Sequence, residues 1–194
     1  MTDFDDVTGV LLAGGQSQRM GRDKATLPVG GVPLYRRGLT VLQGLFGQVL
    51  IAGDRPDLAE GGVLCHRDIY PGSSLGGLYT GLLRATTPYI CVVACDMPSP
   101  DPVLIRTLLS FRHGFDVVVP RTPAGLEPLF AIYGKGCLGP MEELLRQGRY
   151  RIYDFYDQVR VRYVEAEELP TGWQHALRNV NTPADMASIK EEQS

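Results

Sequence analysis

Val7-Thr8-Gly9-Val10-Leu11-Leu12-Ala13-Gly14-Gly15-Gln16-Ser17-Gln18-Arg19-Met20-Gly21-Arg22-Asp23-Lys24 is the stretch on which the fold turns. Its first six residues, Val7–Leu12, form a short β-branched run that reads as a strand. Gly14, Gly15 and Gly21 then let the backbone bend sharply and present bare N–H groups, a concavity suited to phosphate oxygens, while Arg19, Arg22 and Lys24 add full positive charges. Open α/β sheets place their ligand sites here, beyond the carboxyl end of a strand. Two common phosphate loops are excluded by spacing. A P-loop needs glycines five apart followed by Lys and Ser or Thr, but Gly15 and Gly21 are six apart and Arg22-Asp23 follows. The pattern G-x-G-x-x-G is absent. A plain strand-to-helix turn requires neither this many glycines nor this many cations. Lysine is scarce, with 3 against 16 arginines, so Lys24 hints at a specific role.

The remainder alternates strand and helix patterns. Candidate strands are Val7–Leu12, Gln48–Ala52, Tyr89–Ala94, Asp116–Pro120, Leu129–Tyr133 and Val159–Val164. Val92–Ala94 and Val117–Val119 are apolar on both faces, as interior strands covered by helices are. Candidate helices are Pro33–Leu45, Leu75–Ala85, Pro102–Arg112 and Cys137–Gln147. Asp101 suits the cap of the third, with Pro102 at its first position, and Gly148 suits the stop of the fourth. Gly76, Gly77 and Gly81 allow the second to approach its neighbours closely. A last helix has Thr182 as N-cap, Pro183 first and Asp185 third; the tail from Lys190 is polar enough to fray. The alternation predicts an α/β fold, a three-layer sandwich with a mostly parallel sheet, in one domain over residues 1–194.

Composition agrees. The 194 residues carry 19 basic and 22 acidic groups, a net charge of −3, with 44% hydrophobic residues. This excludes a disordered chain, a collagen-like fibre and a coiled coil, and gives no reason to expect nucleic acid or a membrane as partner. No apolar run approaches the roughly 18 residues of a spanning helix. The acidic N-terminus lacks a signal-peptide layout, so a cytoplasmic location is expected. Cys65, Cys91, Cys95 and Cys137 form no C-x-x-C and are expected as thiols; Cys91 and Cys95 share a strand face but lie two pleats apart, too far for a disulfide. His66, His113 and His175 show no metal-site spacing, and His113 and His175 are read as solvated loop residues.

Two further segments carry chemistry. Asp96 ends the apolar run Ile90–Cys95 and falls at the same sheet edge as the glycine-rich loop. A hard oxygen ligand beside a phosphate cradle is what Mg²⁺ needs; Asp as a turn former before Met97-Pro98 is the plainer alternative. Asp68 precedes a second glycine-rich stretch, Tyr70–Gly77, and is either a ligand contact or a loop acid. Asn181, just before the last helix, offers a carbonyl oxygen to a metal or a substrate, or simply serves the turn.

Leu12-Ala13-Gly14-Gly15 with Ser17, Arg19-Met20-Gly21 and Asp23-Lys24 resembles the signature of the molybdenum cofactor guanylyltransferases, members of the nucleotidyltransferase superfamily. The resemblance continues through Asp68, Leu75-Gly76-Gly77, Cys95-Asp96-Met97-Pro98, Glu127-Pro128-Leu129-Phe130 and Asn179-Val180-Asn181-Thr182-Pro183, in the expected order. It implies a Rossmann-like fold and a reaction in which the terminal phosphate of molybdopterin attacks the α-phosphate of GTP and pyrophosphate leaves. It also implies nucleotide contacts at Leu12, Ala13, Gly14, Lys24, Asp68 and Asp96, with Mg²⁺ at Asp96. The residues themselves add Gly15 to the expected nucleotide cradle, catalytic roles for Arg19, Lys24 and Asp96 in stabilising phosphate charge, and Asn181 as a second expected Mg²⁺ ligand. Cofactor-delivery proteins and molybdoenzymes are implied as transient contacts. Leu-Ala-Gly-Gly, where relatives using CTP read Leu-Ala-Ala-Gly, favours GTP. This chain departs from many relatives at Gly72-Ser73-Ser74-Leu75, where they have Gly-Pro-Leu, and at Ile51-Ala52-Gly53-Asp54, where some place an Asn. The competing readings are a cytidylyl- or sugar-phosphate nucleotidyltransferase and a non-catalytic nucleotide or cofactor carrier. For the pterin, the candidates are the Leu126-Glu127-Pro128 turn and the cationic stretch Arg149–Arg151.

Overall fold

The computed structural model describes residues 4–14, 24–180 and 185. Its strands are β1 (Val7–Leu12), β2 (Pro28–Val29), β3 (Val32–Pro33), β4 (Gln48–Ala52), β5 (Leu64–His66), β6 (Tyr89–Ala94), β7 (Val117–Thr122), β8 (Gly125–Leu126), β9 (Phe130–Gly134) and β10 (Val161–Glu165); its α-helices are α1 (Leu34–Leu45), α2 (Ser74–Arg84), α3 (Pro102–Ser110), α4 (Leu138–Arg146) and α5 (Trp173–Ala176). The main sheet runs β10-β7-β9-β6-β1-β4-β5, with β8 attached to β7. β5, β4, β1 and β6 are mutually parallel, as are β7 and β10, while β9 runs antiparallel to β6 and β7. β2 and β3 form a separate hairpin.

The central strands are apolar throughout because both of their faces are covered. Leu11 and Val93 belong to the layer holding Leu39 and Leu42 of α1 and Ile105 and Leu108 of α3. The alternate residues Val10, Leu12 and Val92 belong to the layer holding Leu75, Leu78 and Leu82 of α2 and Met141 and Leu144 of α4. The three-layer sandwich is therefore as expected. Gly81 lets α2 lie against β1, since a Cβ there would come 2.7 Å from Val10 Cγ1. Asp101 caps α3, its Oδ1 accepting the Val103 N–H at 2.8 Å, and Gly148, at φ +70°, follows the last turn of α4.

The bounds of β1, β4 and β6 match the sequence reading; β7, β9 and β10 are shifted by a residue or two. β10 starts at Val161 because Asp116 takes the backbone before it: the Arg160 N–H donates to Asp116 Oδ2 at 3.0 Å. The short strands β2, β3, β5 and β8 have too few residues to show a period. The 3₁₀ run Ile152–Gln158 was also not foreseen, though Ile152, Phe155 and Tyr156 pack into the α2/α4 layer. His175 is corrected from a loop to α5, where the backbone N–H groups of His175 and Leu177 close a single turn. All four cysteines are free thiols. The reading of Thr182 and Pro183 as a helix start, and of a fraying tail, lies outside the described residues. Among the described residues no helix is long and apolar enough to cross a membrane.

Candidate active site

From β1 the chain moves to β4 and β5 on one side, then crosses back through α2 to β6 on the other. The bends after β1 and β6 thus flank the switch point of the sheet, where a crevice opens beyond the strand ends. Leu12 and Ala94 are in register. Pairing persists one residue past them: the Cys95 N–H donates to Leu12 O at 3.0 Å, and the Ala13 N–H donates to Ala52 O at 2.9 Å. The glycine-rich bend and the Asp96 turn therefore start side by side.

Leu12 and Ala13 are buried and Gly14 is partly buried. Gly14 lies close under Asp68: a Cβ there would be 2.9 Å from Asp68 Oδ2 and would push the carboxylate aside. Gly53, at φ +141°, is pressed against the same bend, with Ala13 C and Gly14 N each 2.8 Å from a Cβ built on it. A side chain at Gly53 has no room against that backbone.

Asp68 follows β5 and lies between the bend and the first turn of α2; a Cβ on Gly77 would be 3.5 Å from its Oδ1. That oxygen is buried and has no hydrogen-bond partner among the described residues. Burial, and secondarily the negative charge of Asp54, push its carboxyl up to about 6. The following segment is pinned to α2. The Ile69 N–H donates to Thr80 Oγ1 at 3.0 Å, and that buried hydroxyl donates to Gly76 O at 2.9 Å. Ser73 caps α2 by accepting the Gly76 N–H at 3.1 Å. The Tyr70 carbonyl rests so closely on Gly76 that a Cβ there would be 1.8 Å from Tyr70 O. A desolvated carboxylate with a bare lone pair, beside the positive end of a helix, calls for an N–H or O–H donor or a cation.

Asp96 is partly buried in the turn after β6, closed by the Met97 N–H donating to Ala94 O at 3.2 Å. Its carbonyl accepts the Val180 N–H at 2.9 Å. Val180 is fully buried with Val29 of β2 and Leu34 of α1. Arg37 of α1 closes this corner, donating from Nη1 to Pro98 O at 2.9 Å and from Nη2 to Val29 O at 3.0 Å. Sequence reasoning missed Arg37, and its position on a helix carried no signal of this role.

Of the other expected site residues, Gly15, Arg19 and Asn181 lie outside the described residues. Lys24 opens a 3₁₀ turn, Lys24–Thr26, against α1, and its side chain is likewise outside. Ala25 belongs to the same apolar layer as Ala13, Ala94 and Met97. The Glu127–Leu129 turn reaches the crevice edge, the Ala94 N–H donating to Leu129 O at 3.1 Å. Arg149–Arg151 is exposed; Arg149 pairs with Asp154 at 3.0 Å and the Arg151 guanidinium sits 5.5 Å from the Tyr153 ring centre. Among the described residues no three His, Cys, Asp or Glu side chains gather as a metal cage. A site with one carboxylate suits an ion that takes its remaining ligands from phosphate and water.

Comparison with known proteins agrees with this geometry. The family model described as the MobA-like NTP transferase domain matches residues 9–161. A protein of Pelotomaculum thermopropionicum, named "Probable molybdenum cofactor guanylyltransferase", is 41% identical over 94% of this chain and 91% of its own length. The molybdenum cofactor guanylyltransferase of Desulfosudis oleivorans is 33% identical over 86% of this chain and 84% of its own. The fold is shared with the crystal structure of molybdopterin-guanine dinucleotide biosynthesis protein A from Archaeoglobus fulgidus, at a TM-score of 0.84 and 23% identity over 96% of this chain and 98% of that one. With matches along nearly its whole length, the chain belongs to the MobA-like NTP transferases and, within them, to the molybdenum cofactor guanylyltransferase family.

Proposed function

We propose that this chain, acting as a single nucleotidyltransferase domain, transfers GMP from GTP to the terminal phosphate of molybdopterin. Pyrophosphate is released and the guanine dinucleotide form of the cofactor results. The observation that carries the reading is the side-by-side ending of Leu12 and Ala94, from which the bend after Leu12 and the Asp96 turn leave one edge of the sheet; the names of the relatives supply the reaction.

In this reading the backbone from Leu12 to Gly15, with Arg19 and Lys24, holds the triphosphate. Asp68 accepts a donor of the nucleoside. Asp96 and Asn181 hold Mg²⁺: a carboxylate and a carboxamide oxygen are the hard donors this ion takes, and the Val180–Asp96 bond ties the residue before Asn181 to the Asp96 turn. When bound, Mg²⁺ supplies neutralisation of the phosphate charge. A phosphate monoester is largely ionised near neutral pH, so its oxygen attacks the α-phosphorus without a general base from the protein. The bond from the α-phosphorus to the bridging oxygen breaks as the new one forms, and Arg19 and Lys24 stabilise the charge arriving on pyrophosphate. The chain's part is positioning and charge compensation. Because the product serves other enzymes, transient contact with cofactor-delivery proteins and molybdoenzymes belongs to the same reading, and four free thiols suit a reducing cytoplasm.

The test is pyrophosphate release with each NTP, Mg²⁺ and molybdopterin. GTP is the expected substrate, and Asp96→Ala lowers the rate about a hundredfold or more without changing the melting temperature. Turnover of CTP instead makes the protein a cytidylyltransferase. GTP binding without pyrophosphate release makes it a carrier, and near-normal turnover by Asp96→Ala removes Asp96 from the mechanism.

A further inference from the structure

Two partly buried carboxylates stand at the carboxyl edge on opposite sides of the central pair of strands. Asp68 follows β5, on one side of β1; Glu127 precedes β9, which pairs with β6 on the other. The turn carrying Glu127 is held at every residue. The Glu127 N–H donates to Pro120 O at 3.1 Å and its carbonyl accepts the Phe130 N–H at 3.0 Å. The Pro128 carbonyl accepts the Tyr133 hydroxyl at 2.7 Å, and that hydroxyl is 2.9 Å from the hydroxyl of Tyr156 in the core. The Leu129 carbonyl accepts the Ala94 N–H at 3.1 Å, which places the turn two residues from Asp96.

The Glu127 side chain gains nothing from this rigidity within the protein. No cation or hydrogen-bond donor among the described residues offsets its desolvation, and burial alone shifts its carboxyl upward. A carboxylate kept partly dry on a fixed turn is an unfavourable arrangement unless a ligand brings donors to it. Nucleotidyl transfer brings two organic groups to one phosphorus. If the nucleoside lies on the Asp68 side, the acceptor has the β9 side.

Resting on the reaction proposed above, we propose that Glu127 is the acceptor-recognition residue, its carboxylate accepting the paired ring N–H and amino N–H donors of a 2-amino-4-oxopteridine. Two parallel donors meet two carboxylate oxygens in the geometry that makes such pairs strong. The side chain selects the acceptor and takes no part in the bond changes at phosphorus.

The experiment uses ligand fluorescence of 6-hydroxymethylpterin and of 6-hydroxymethyllumazine, in which an oxo group replaces the 2-amino group. The wild-type protein should bind the pterin at least about tenfold more tightly than the lumazine, the factor carried by one charge-assisted hydrogen bond. Glu127→Gln should lose that discrimination, raise the KM for molybdopterin by a similar factor, and leave the affinity for GTP unchanged. Equal binding of the two probes by the wild type overturns the inference, as does retained discrimination in Glu127→Gln. Weakened GTP binding in that variant also overturns it, by placing Glu127 on the nucleotide side. Discrimination that depends on Glu127, in a protein that releases no pyrophosphate from GTP, leaves the pterin site standing while the proposed reaction falls.

Discussion

Asp68→Asn removes a charge from a place where the fold alone would not put one. The carboxyl is raised from 3.8 to about 6 by burial first and by Asp54 second. Because the folded value exceeds the unfolded one, the contribution to stability is fully present below pH 3.8 and is lost as the pH rises through about 6. Above that, the folded state carries the whole penalty of an ionised Asp68. Two units correspond to a ceiling of about 3 kcal/mol, which solvent access to the partly exposed group reduces to about 1–2 kcal/mol. Asn keeps the shape between Gly14 and Gly77 without the charge. The variant should therefore melt above the wild type at pH 7.5, by about 2–8 °C for a chain of this size. The gain should vanish well below pH 3.8, where the wild-type group is protonated in both states. GTP affinity should fall about tenfold or more, measured by titration calorimetry, as a charged hydrogen bond to the nucleoside is lost. A melting temperature at or below wild type at pH 7.5, or a gain that persists at the acid end, refutes the assignment of burial as the cause.

Gly76→Ala should cost about 3 kcal/mol or more in urea unfolding, because its methyl group would meet backbone, Tyr70 O, rather than a side chain able to move. Lys24→Ala should weaken GTP binding and slow pyrophosphate release while leaving the unfolding free energy within about 0.5 kcal/mol of wild type; unchanged binding and rate would make Lys24 a surface charge.

The layers were legible because each central strand must be apolar on both faces once helices cover it, and the runs at Val7–Leu12 and Tyr89–Ala94 state this directly. The edge carrying the site followed, since Asp96 and the glycine-rich bend both come at strand ends. The packing reason for Gly14, Gly53 and Gly76 was not legible, because it depends on which backbone lies opposite each one. Arg37 and Val180 escaped for a related reason. Their partners Pro98 and Asp96 are far away in sequence, and a single arginine or valine has no period that marks a long-range contact. Likewise, the charge environment of Asp68 arises from Asp54 on a neighbouring loop and from desolvation, neither of which local sequence encodes.

The bond from the Val180 N–H to the Asp96 carbonyl has a consequence in time as well as space. Synthesis proceeds from the N-terminus, so β1, α1, α2 and β6 leave the ribosome well before Val180 exists. A nascent chain can assemble most of the parallel sheet yet lack the strap that braces the Asp96 turn. Nucleotide turnover should therefore wait until Val180 has been made, and fragments that stop short of it should be folded in part but idle.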